Sequence, residues 1–132
     1  MCSVDLITRE CDGKVVVALR GELDVAYAAA VVAQLVAVAA REREIIVDLA
    51  GLEFIDSSGV AALLRVRRHA RHAGGDLLLV APQQQVLRVL TITRLIDVFS
   101  VHACVDEAAG SAGQSQLAAT PVTGPAVVLA VT

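Results

Sequence analysis

The chain has 132 residues, enough for one domain with a substantial core. Apolar residues make up 56% of the chain but aromatic residues only 2%, so the core must be built from Val, Leu, Ile and Ala. Such a composition offers few rings on which bases or sugars could stack. The net charge of −3 argues against general nucleic-acid binding, which needs a basic face.

The cysteines and the hydropathy pattern exclude several further classes. Cys2, Cys11 and Cys104 are odd in number and widely spaced, which predicts neither a disulfide framework nor a zinc site. The longest apolar run, residues 25–40, is shorter than the about 20 residues of a membrane span, and no leader pattern opens the chain. We therefore expect a cytoplasmic protein without a membrane segment, metal or cofactor.

The first two elements are predicted to form a β-hairpin. Residues 4–10 alternate as a half-buried strand does, Asp12-Gly13 is a tight-turn signal, and residues 15–20 form a continuous apolar strand. Asp24 then stands where a helix N-cap belongs, ahead of a long Ala/Val segment. That segment predicts a helix over residues 25–43.

A strand, a loop and a second helix follow. Residues 44–49 form an apolar strand and residues 50–55 are predicted as a loop. The helix starts at Asp56-Ser57-Ser58-Gly59 and runs to about Ala73, where Gly74-Gly75 ends it.

The remaining elements complete an alternating α/β pattern. We predict a strand over 76–81, a helix over 83–93, a short strand within 96–101 and a last helix from residue 106. The order is β-β-α-β-α-β-α-β-α, which implies a mostly parallel mixed sheet with an antiparallel N-terminal hairpin and about four helices. Residues 1–109 form this single domain. Residues 110–132, mainly Ser, Gly, Gln, Ala, Thr and Pro without a period, are predicted to be mostly a flexible tail, with Val127-Val128-Leu129 as an apolar exception.

Four sequence segments together carry a family resemblance: Gly21-Glu22-Leu23-Asp24, Val47-Asp48-Leu49, Phe54 to Val60 with its Asp-Ser-Ser-Gly run, and Ala73-Gly74-Gly75. In this combination residues 4–109 resemble the STAS domain, as found in anti-sigma factor antagonists. The first and third segments together are a fairly specific signal for this family, whereas either one alone is a weak signal. The chain departs from the family pattern at Arg94, where the family often has glycine.

The resemblance implies a partner-binding switch and not an enzyme. In that family the second serine of the Asp-Ser-Ser-Gly run, here Ser58, is phosphorylated by an anti-sigma factor that is also a serine kinase of the GHKL type. The unphosphorylated form binds that partner and frees the sigma factor, and the phosphorylated form releases it. Asp24, Asp56, Ser57 and Gly59 are then expected partner contacts beside Ser58, and a phosphoserine phosphatase is a candidate further partner.

Elementary electrostatics is compatible with such a switch. The N–H groups and dipole of a helix start favour an anion. Phosphorylation of Ser58 would add about −1.5 to −2 charge close to Asp24 and Asp56, if parallel strands bring both loops to one sheet edge. A partner surface matched to a neutral hydroxyl would then meet added bulk and concentrated negative charge.

Other interpretations stay open from the sequence alone. Asp24, Asp56 and the two serines could serve only as helix caps, and Asp48 is expected to hydrogen-bond at its strand end. The chain could instead be a STAS subunit of a transport or lipid-trafficking complex, or a STAS sensor for a small ligand or nucleotide. A basic helix face is either solvated or a docking surface for an acidic partner or phosphate; it comprises Arg65, Arg67, Arg68, His69, Arg71 and His72. The oligomeric state is left open.

Overall fold

The computed structural model of the protein describes residues 4–11, 13–41, 44–104 and 123–131. Within them the elements in chain order are β1 (Val4–Cys11), β2 (Lys14–Leu23), α1 (Val25–Ala39), β3 (Glu44–Ile55), α2 (Ser57–His72), β4 (Asp76–Val80), α3 (Gln84–Ile92), β5 (Ser100–His102) and β6 (Thr123–Val131). The strands form one sheet in the order β5-β4-β3-β2-β1-β6. No helix among the described residues is long and apolar enough to cross a membrane.

The predicted single α/β domain with an N-terminal hairpin is confirmed. β1 and β2 pair antiparallel, and the turn between them includes Gly13 at a φ of 78°. β2, β3, β4 and β5 then pair in parallel, with α1, α2 and α3 in the connections. Three helices lie in the described residues, whereas the predicted fourth would begin at residue 106, outside them.

The larger hydrophobic core lies between one face of the sheet and the three helices. Alternate residues of the central strands point into it, and each helix contributes one apolar stripe, such as Val31 and Leu35 from α1 or Leu63 and Val66 from α2. The opposite face of the sheet carries a smaller buried cluster that includes Val16 and Ile46. Aliphatic side chains thus fill the core, as the composition predicts.

The predicted extent of α1 is wrong at its C-terminal end. The helix ends at Ala39 rather than at residue 43. The Ala40 N–H donates to the Val36 carbonyl oxygen. The Arg41 N–H donates to the Val38 carbonyl oxygen, only three residues back, which tightens the last turn.

The loop predicted over residues 50–55 is also wrong, because β3 continues as a strand to Ile55. Gly51, Leu52, Phe54 and Ile55 pair with successive residues of β2. The parallel partner strand supplies the backbone hydrogen bonds that keep this segment extended.

The C-terminal third differs from prediction at two places. The strand predicted within 96–101 is displaced to Ser100–His102, because the N–H groups of Leu95 and Ile96 both donate to the Leu90 carbonyl and close the end of α3. Residues 123–131, predicted within a flexible tail, form β6, which pairs antiparallel with β1. The domain boundary at residue 109 stays a prediction.

Candidate functional site

The ends of β2 and β3 bring the two predicted acidic loops together. Leu23 and Ile55, the last residues of these strands, are register partners, and the Asp56 N–H donates to the Leu23 carbonyl at 3.3 Å. Asp24 and Asp56 therefore follow two adjacent strands at the same level. Since neighbouring strands lie about 5 Å apart, the two carboxylates belong to one edge of the sheet, called here the Asp24–Asp56 edge.

Two irregularities in the β2–β3 pairing set this alignment. Between the partners Val15–Ile45 and Leu23–Ile55, β2 advances eight residues and β3 advances ten. The two extra residues of β3 are absorbed where the register shifts, once after Ala18 of β2 and once after Gly21 of β2. Without these shifts Asp56 would lie two positions beyond Asp24, so the bulges position the site.

Both aspartates cap the helix that follows them. Asp24 Oδ1 accepts the Ala26 N–H at 3.0 Å, and Asp56 Oδ1 accepts the Gly59 N–H at 3.0 Å. Each backbone is extended at the aspartate, as an N-cap requires. The predicted capping role of both residues is therefore confirmed, and each carboxylate keeps an oxygen, Oδ2, that is not used in the cap.

Ser57 and Ser58 occupy the first turn of α2, directly after the Asp56 cap. Ser57 is exposed and Ser58 is half-buried. Neither hydroxyl makes a hydrogen bond to any of the described residues. The helix start is thus held by Asp56, which leaves both serine hydroxyls available to a partner or to modification.

Gly59 allows α2 to approach the ends of β2 and β3. A Cβ at this position would lie 2.6 Å from Ile55 Cγ1 and 2.8 Å from the Leu23 carbonyl oxygen. Real Cβ atoms do not make contacts this short, so only glycine fits. Gly59 is buried, and its contribution to the site is steric rather than a surface contact.

Gln85 of α3 is a site-positioning residue that sequence reasoning missed. Its side-chain oxygen accepts the Ile55 N–H at 3.0 Å, and its side-chain nitrogen donates to the Ile55 carbonyl at 3.1 Å. The last β3–β4 pair is Asp48–Val80, so this edge of β3 has no strand partner at Ile55. The amide of Gln85 takes that place and fixes the residue before Asp56.

Exposed apolar side chains border the Asp24–Asp56 edge. Val25, directly after Asp24, is 74% exposed, and Phe54, two residues before Asp56, is 39% exposed. Glu53 beside Phe54 is also exposed. Apolar groups next to hydroxyls and acids are typical of a protein-binding surface, in which the apolar part is desolvated and the polar part gives specificity.

Asp48 has a structural role, as predicted. Its Oδ1 accepts the Ala50 N–H at 3.0 Å, and its Oδ2 lies 3.7 Å from a guanidinium nitrogen of Arg9. Within the described part of the chain, no group of three or more His, Cys, Asp or Glu side chains is arranged to hold a metal ion.

Comparison with known proteins identifies relatives of this domain. Residues 5–108 match the model of the STAS domain. BtrV of Bordetella bronchiseptica, assigned as an anti-sigma factor antagonist, is 33% identical over 107 residues, which cover 80% of this chain and 91% of that protein.

Solved structures of anti-sigma factor antagonists share the fold. One from Mycobacterium paratuberculosis is 26% identical with a TM-score of 0.75, covering 83% of this chain and 93% of its own. SpoIIAA in its unphosphorylated form is 25% identical with a TM-score of 0.69, covering 81% of this chain and 95% of its own. SpoIIAA of Bacillus has also been solved in a phosphorylated form, with 25% identity and a TM-score of 0.61 over 80% of this chain and 98% of its own.

Proposed function

The chain belongs to the STAS domain family, within it to the anti-sigma factor antagonists, and on that premise we propose that it is a partner-binding switch controlled by phosphorylation of Ser58. Unphosphorylated, it binds an anti-sigma factor that is also a serine kinase of the GHKL type. That binding frees a sigma factor for transcription. In this role the protein acts in the cytoplasm as a binding partner and not as an enzyme.

The observation that carries the proposal is the position of Ser58 at the Asp24–Asp56 edge. Its hydroxyl lies in the first turn of α2, and Asp56 rather than the serine caps the helix. Asp24 lies on the adjacent strand end, one residue beyond the register partner of Ile55. Ser58 lies in the helix turn that follows Asp56, beside the strand end that carries Asp24 and exposed Val25, and its hydroxyl has no hydrogen bond to the described residues, which suits a surface that a partner binds and modifies.

Binding in the unphosphorylated state would use the apolar and acidic groups together. Val25 and Phe54 supply apolar area that loses water on contact, at about 25 cal/mol per Å². The free oxygens of Asp24 and Asp56 would accept hydrogen bonds from cationic or N–H groups of the partner. Gly59 and Gln85 hold the edge in the conformation that presents these groups.

Release follows from the charge that phosphorylation adds. The partner kinase transfers the γ-phosphoryl group of ATP to Ser58 Oγ, the hydroxyl proton leaves, and ADP is the other product. The new group carries about −1.5 to −2 charge beside Asp24 and Asp56. The helix start tolerates this anion, so the fold is retained, but the partner meets bulk and repulsion. Each 1.4 kcal/mol of lost binding energy weakens the affinity about tenfold.

The test uses the purified protein, candidate anti-sigma kinases and ATP, with the phosphorylated residue located by mass spectrometry. Phosphate on Ser58 is the expected result, retained in Ser57→Ala and lost in Ser58→Ala, which makes these two adjacent variants matched controls. The Ser58→Ala variant should also bind the kinase persistently in the presence of ATP. Phosphate on Ser57 alone, or on no serine with any cognate kinase, contradicts the proposal.

A further inference from the structure

The C-terminal half of α2 carries a concentrated positive charge in an acidic protein. The chain has a net charge of −3, yet α2 contains four arginines, two histidines and no acidic residue. Its last two turns place three of these arginines on one face with Leu64 and His72, where they line an open groove; the three are Arg67, Arg68 and Arg71. This set is called here the α2 basic groove.

Among the described residues, one carboxylate, that of Asp76, forms ion pairs with these arginines. Arg67 Nε lies 3.5 Å from Asp76 Oδ1, and Arg71 Nη1 donates to Asp76 Oδ2 at 3.3 Å. The two guanidinium groups thus share the carboxylate at the start of β4. Arg68 is exposed on the same face. Three guanidinium groups against one carboxylate leave an excess positive charge in the groove.

The guanidinium groups of this groove are not saturated with hydrogen bonds. Arg67 Nε is buried and, despite its proximity to Asp76, makes no hydrogen bond in the described part of the chain. The Arg71 side chain is 55% exposed, and among the described residues its hydrogen-bond partner is Asp76. Each guanidinium carries five donors in a planar fork that matches a carboxylate. The groove therefore offers donors as well as charge to an anionic ligand.

We propose that the α2 basic groove docks a short acidic segment of a protein partner, with its carboxylates on Arg68 and Arg71 and an apolar side chain on Leu64. The axial separation of Arg68 and Arg71 is about 4.5 Å at 1.5 Å per helical residue. Carboxylates two residues apart on an extended segment are about 7 Å apart at their backbones, a gap that flexible Glu and Arg side chains span.

The charge distribution favours an acidic peptide over larger polyanions. A nucleic acid or an anionic membrane presents many negative charges over a wide surface, which the remaining acidic surface of a protein with net charge −3 repels. Of the described residues that line the groove, only His72 carries a ring on which a base could stack, and none is Phe, Tyr or Trp. A short segment engages the cationic groove without approaching the Asp24–Asp56 edge.

The groove is independent of the proposed switch. Ser58 and Arg71 are thirteen residues apart on one helix, which separates their backbones by about 20 Å. This distance exceeds the Debye length of about 8 Å at physiological ionic strength. Phosphate at Ser58 therefore leaves docking at the groove unaltered, and either proposal can fail without the other.

The experiment measures binding of a fluorescent peptide, Leu followed by five Glu, to the full chain by anisotropy, against a matched peptide of Leu followed by five Gln. The Glu peptide is expected to bind and the Gln peptide not to. Arg68→Gln combined with Arg71→Gln should weaken the Glu peptide about tenfold. Ser58→Asp should leave this affinity unchanged.

A matched double variant controls for net charge. Arg41→Gln with Arg88→Gln removes two exposed arginines located after α1 and on α3, and is expected to leave the affinity within twofold. An equal loss in this control, equal binding of the two peptides, or no binding of the Glu peptide overturns the proposal. Tighter binding of a single-stranded oligonucleotide through Arg68 and Arg71 overturns the assignment to an acidic segment.

Discussion

Gln85 and Ile55 are joined by two hydrogen bonds, from the Ile55 N–H to the amide oxygen at 3.0 Å and from the amide nitrogen to the Ile55 carbonyl at 3.1 Å. The side chain thus imitates a strand partner for the one residue that precedes Asp56. This links α3 to the last residue of β3, two residues before α2 begins. The conformation of the Asp24–Asp56 edge depends on a contact thirty residues away in sequence.

Replacing Gln85 by Ala should destabilise the protein by about 2 kcal/mol, because both backbone polar groups of the buried Ile55 lose their partners. Urea denaturation measures this free energy of unfolding, and hydrogen exchange should show faster exchange at the Ile55 amide. The adjacent Gln84 is exposed, so Gln84→Ala is a matched control within about 0.5 kcal/mol of the unmodified chain. Equal stability of the two variants would show that the amide contact contributes nothing.

Gly59→Ala should destabilise the protein, although alanine is the better helix former by about 1 kcal/mol. The added methyl group meets Ile55 Cγ1 at 2.6 Å and the Leu23 carbonyl oxygen at 2.8 Å, and overpacking of this kind costs about 1–3 kcal/mol. Thermal unfolding monitored by circular dichroism shows whether the substitution lowers or raises the stability. A stability equal to or above that of the original chain would refute the close approach of α2 to the strand ends.

Asp56→Ala and Asp56→Asn separate capping from charge. Ala removes the acceptor for the Gly59 N–H and should cost about 1 kcal/mol, whereas Asn keeps an oxygen in the same place and should cost less. Chemical denaturation of both variants measures the difference. If Asn costs as much as Ala, the negative charge at the helix start, and not the hydrogen bond, stabilises α2.

Arg94→Gly should stabilise the protein by about 1 kcal/mol. Arg94 follows α3 with a φ of 64°, in the left-handed region that is unfavourable for residues with a Cβ. The same substitution at Arg88, inside α3, should instead cost about 1 kcal/mol. The melting temperature is expected to rise in Arg94→Gly and to fall in Arg88→Gly. A loss of stability in Arg94→Gly would show that the arginine side chain makes a compensating contact.

The sequence predicted those features that depend on local chemistry. Three such features lie where predicted: Gly13 in the hairpin turn, the aspartate caps of α1 and α2, and the glycine pair after α2. The sequence also shows that Arg94 stands where the family often has glycine. In the structure this arginine has a left-handed backbone conformation, which favours glycine. Pattern and capping rules are sufficient for such elements.

The features that sequence reasoning missed depend on distant partners. Residues 50–55 lie in β3 because β2 pairs with them through two register shifts, which no local period reveals. The contact of Gln85 with Ile55 joins two segments whose proximity only the sheet topology creates. β6 was missed because its strand partner, β1, lies at the other end of the chain. Val128, which lies in a short apolar run of that strand, pairs with Ile7 of β1.

The proposed switch depends on the effect of phosphate at Ser58 on partner binding. The most direct measurement is isothermal titration of the anti-sigma kinase with two preparations of this protein, one unmodified and one phosphorylated at Ser58. Circular dichroism of both preparations establishes that the fold is the same. We predict an affinity at least about tenfold weaker for the phosphorylated protein with matching spectra. Equal affinities of the two forms would contradict the switch.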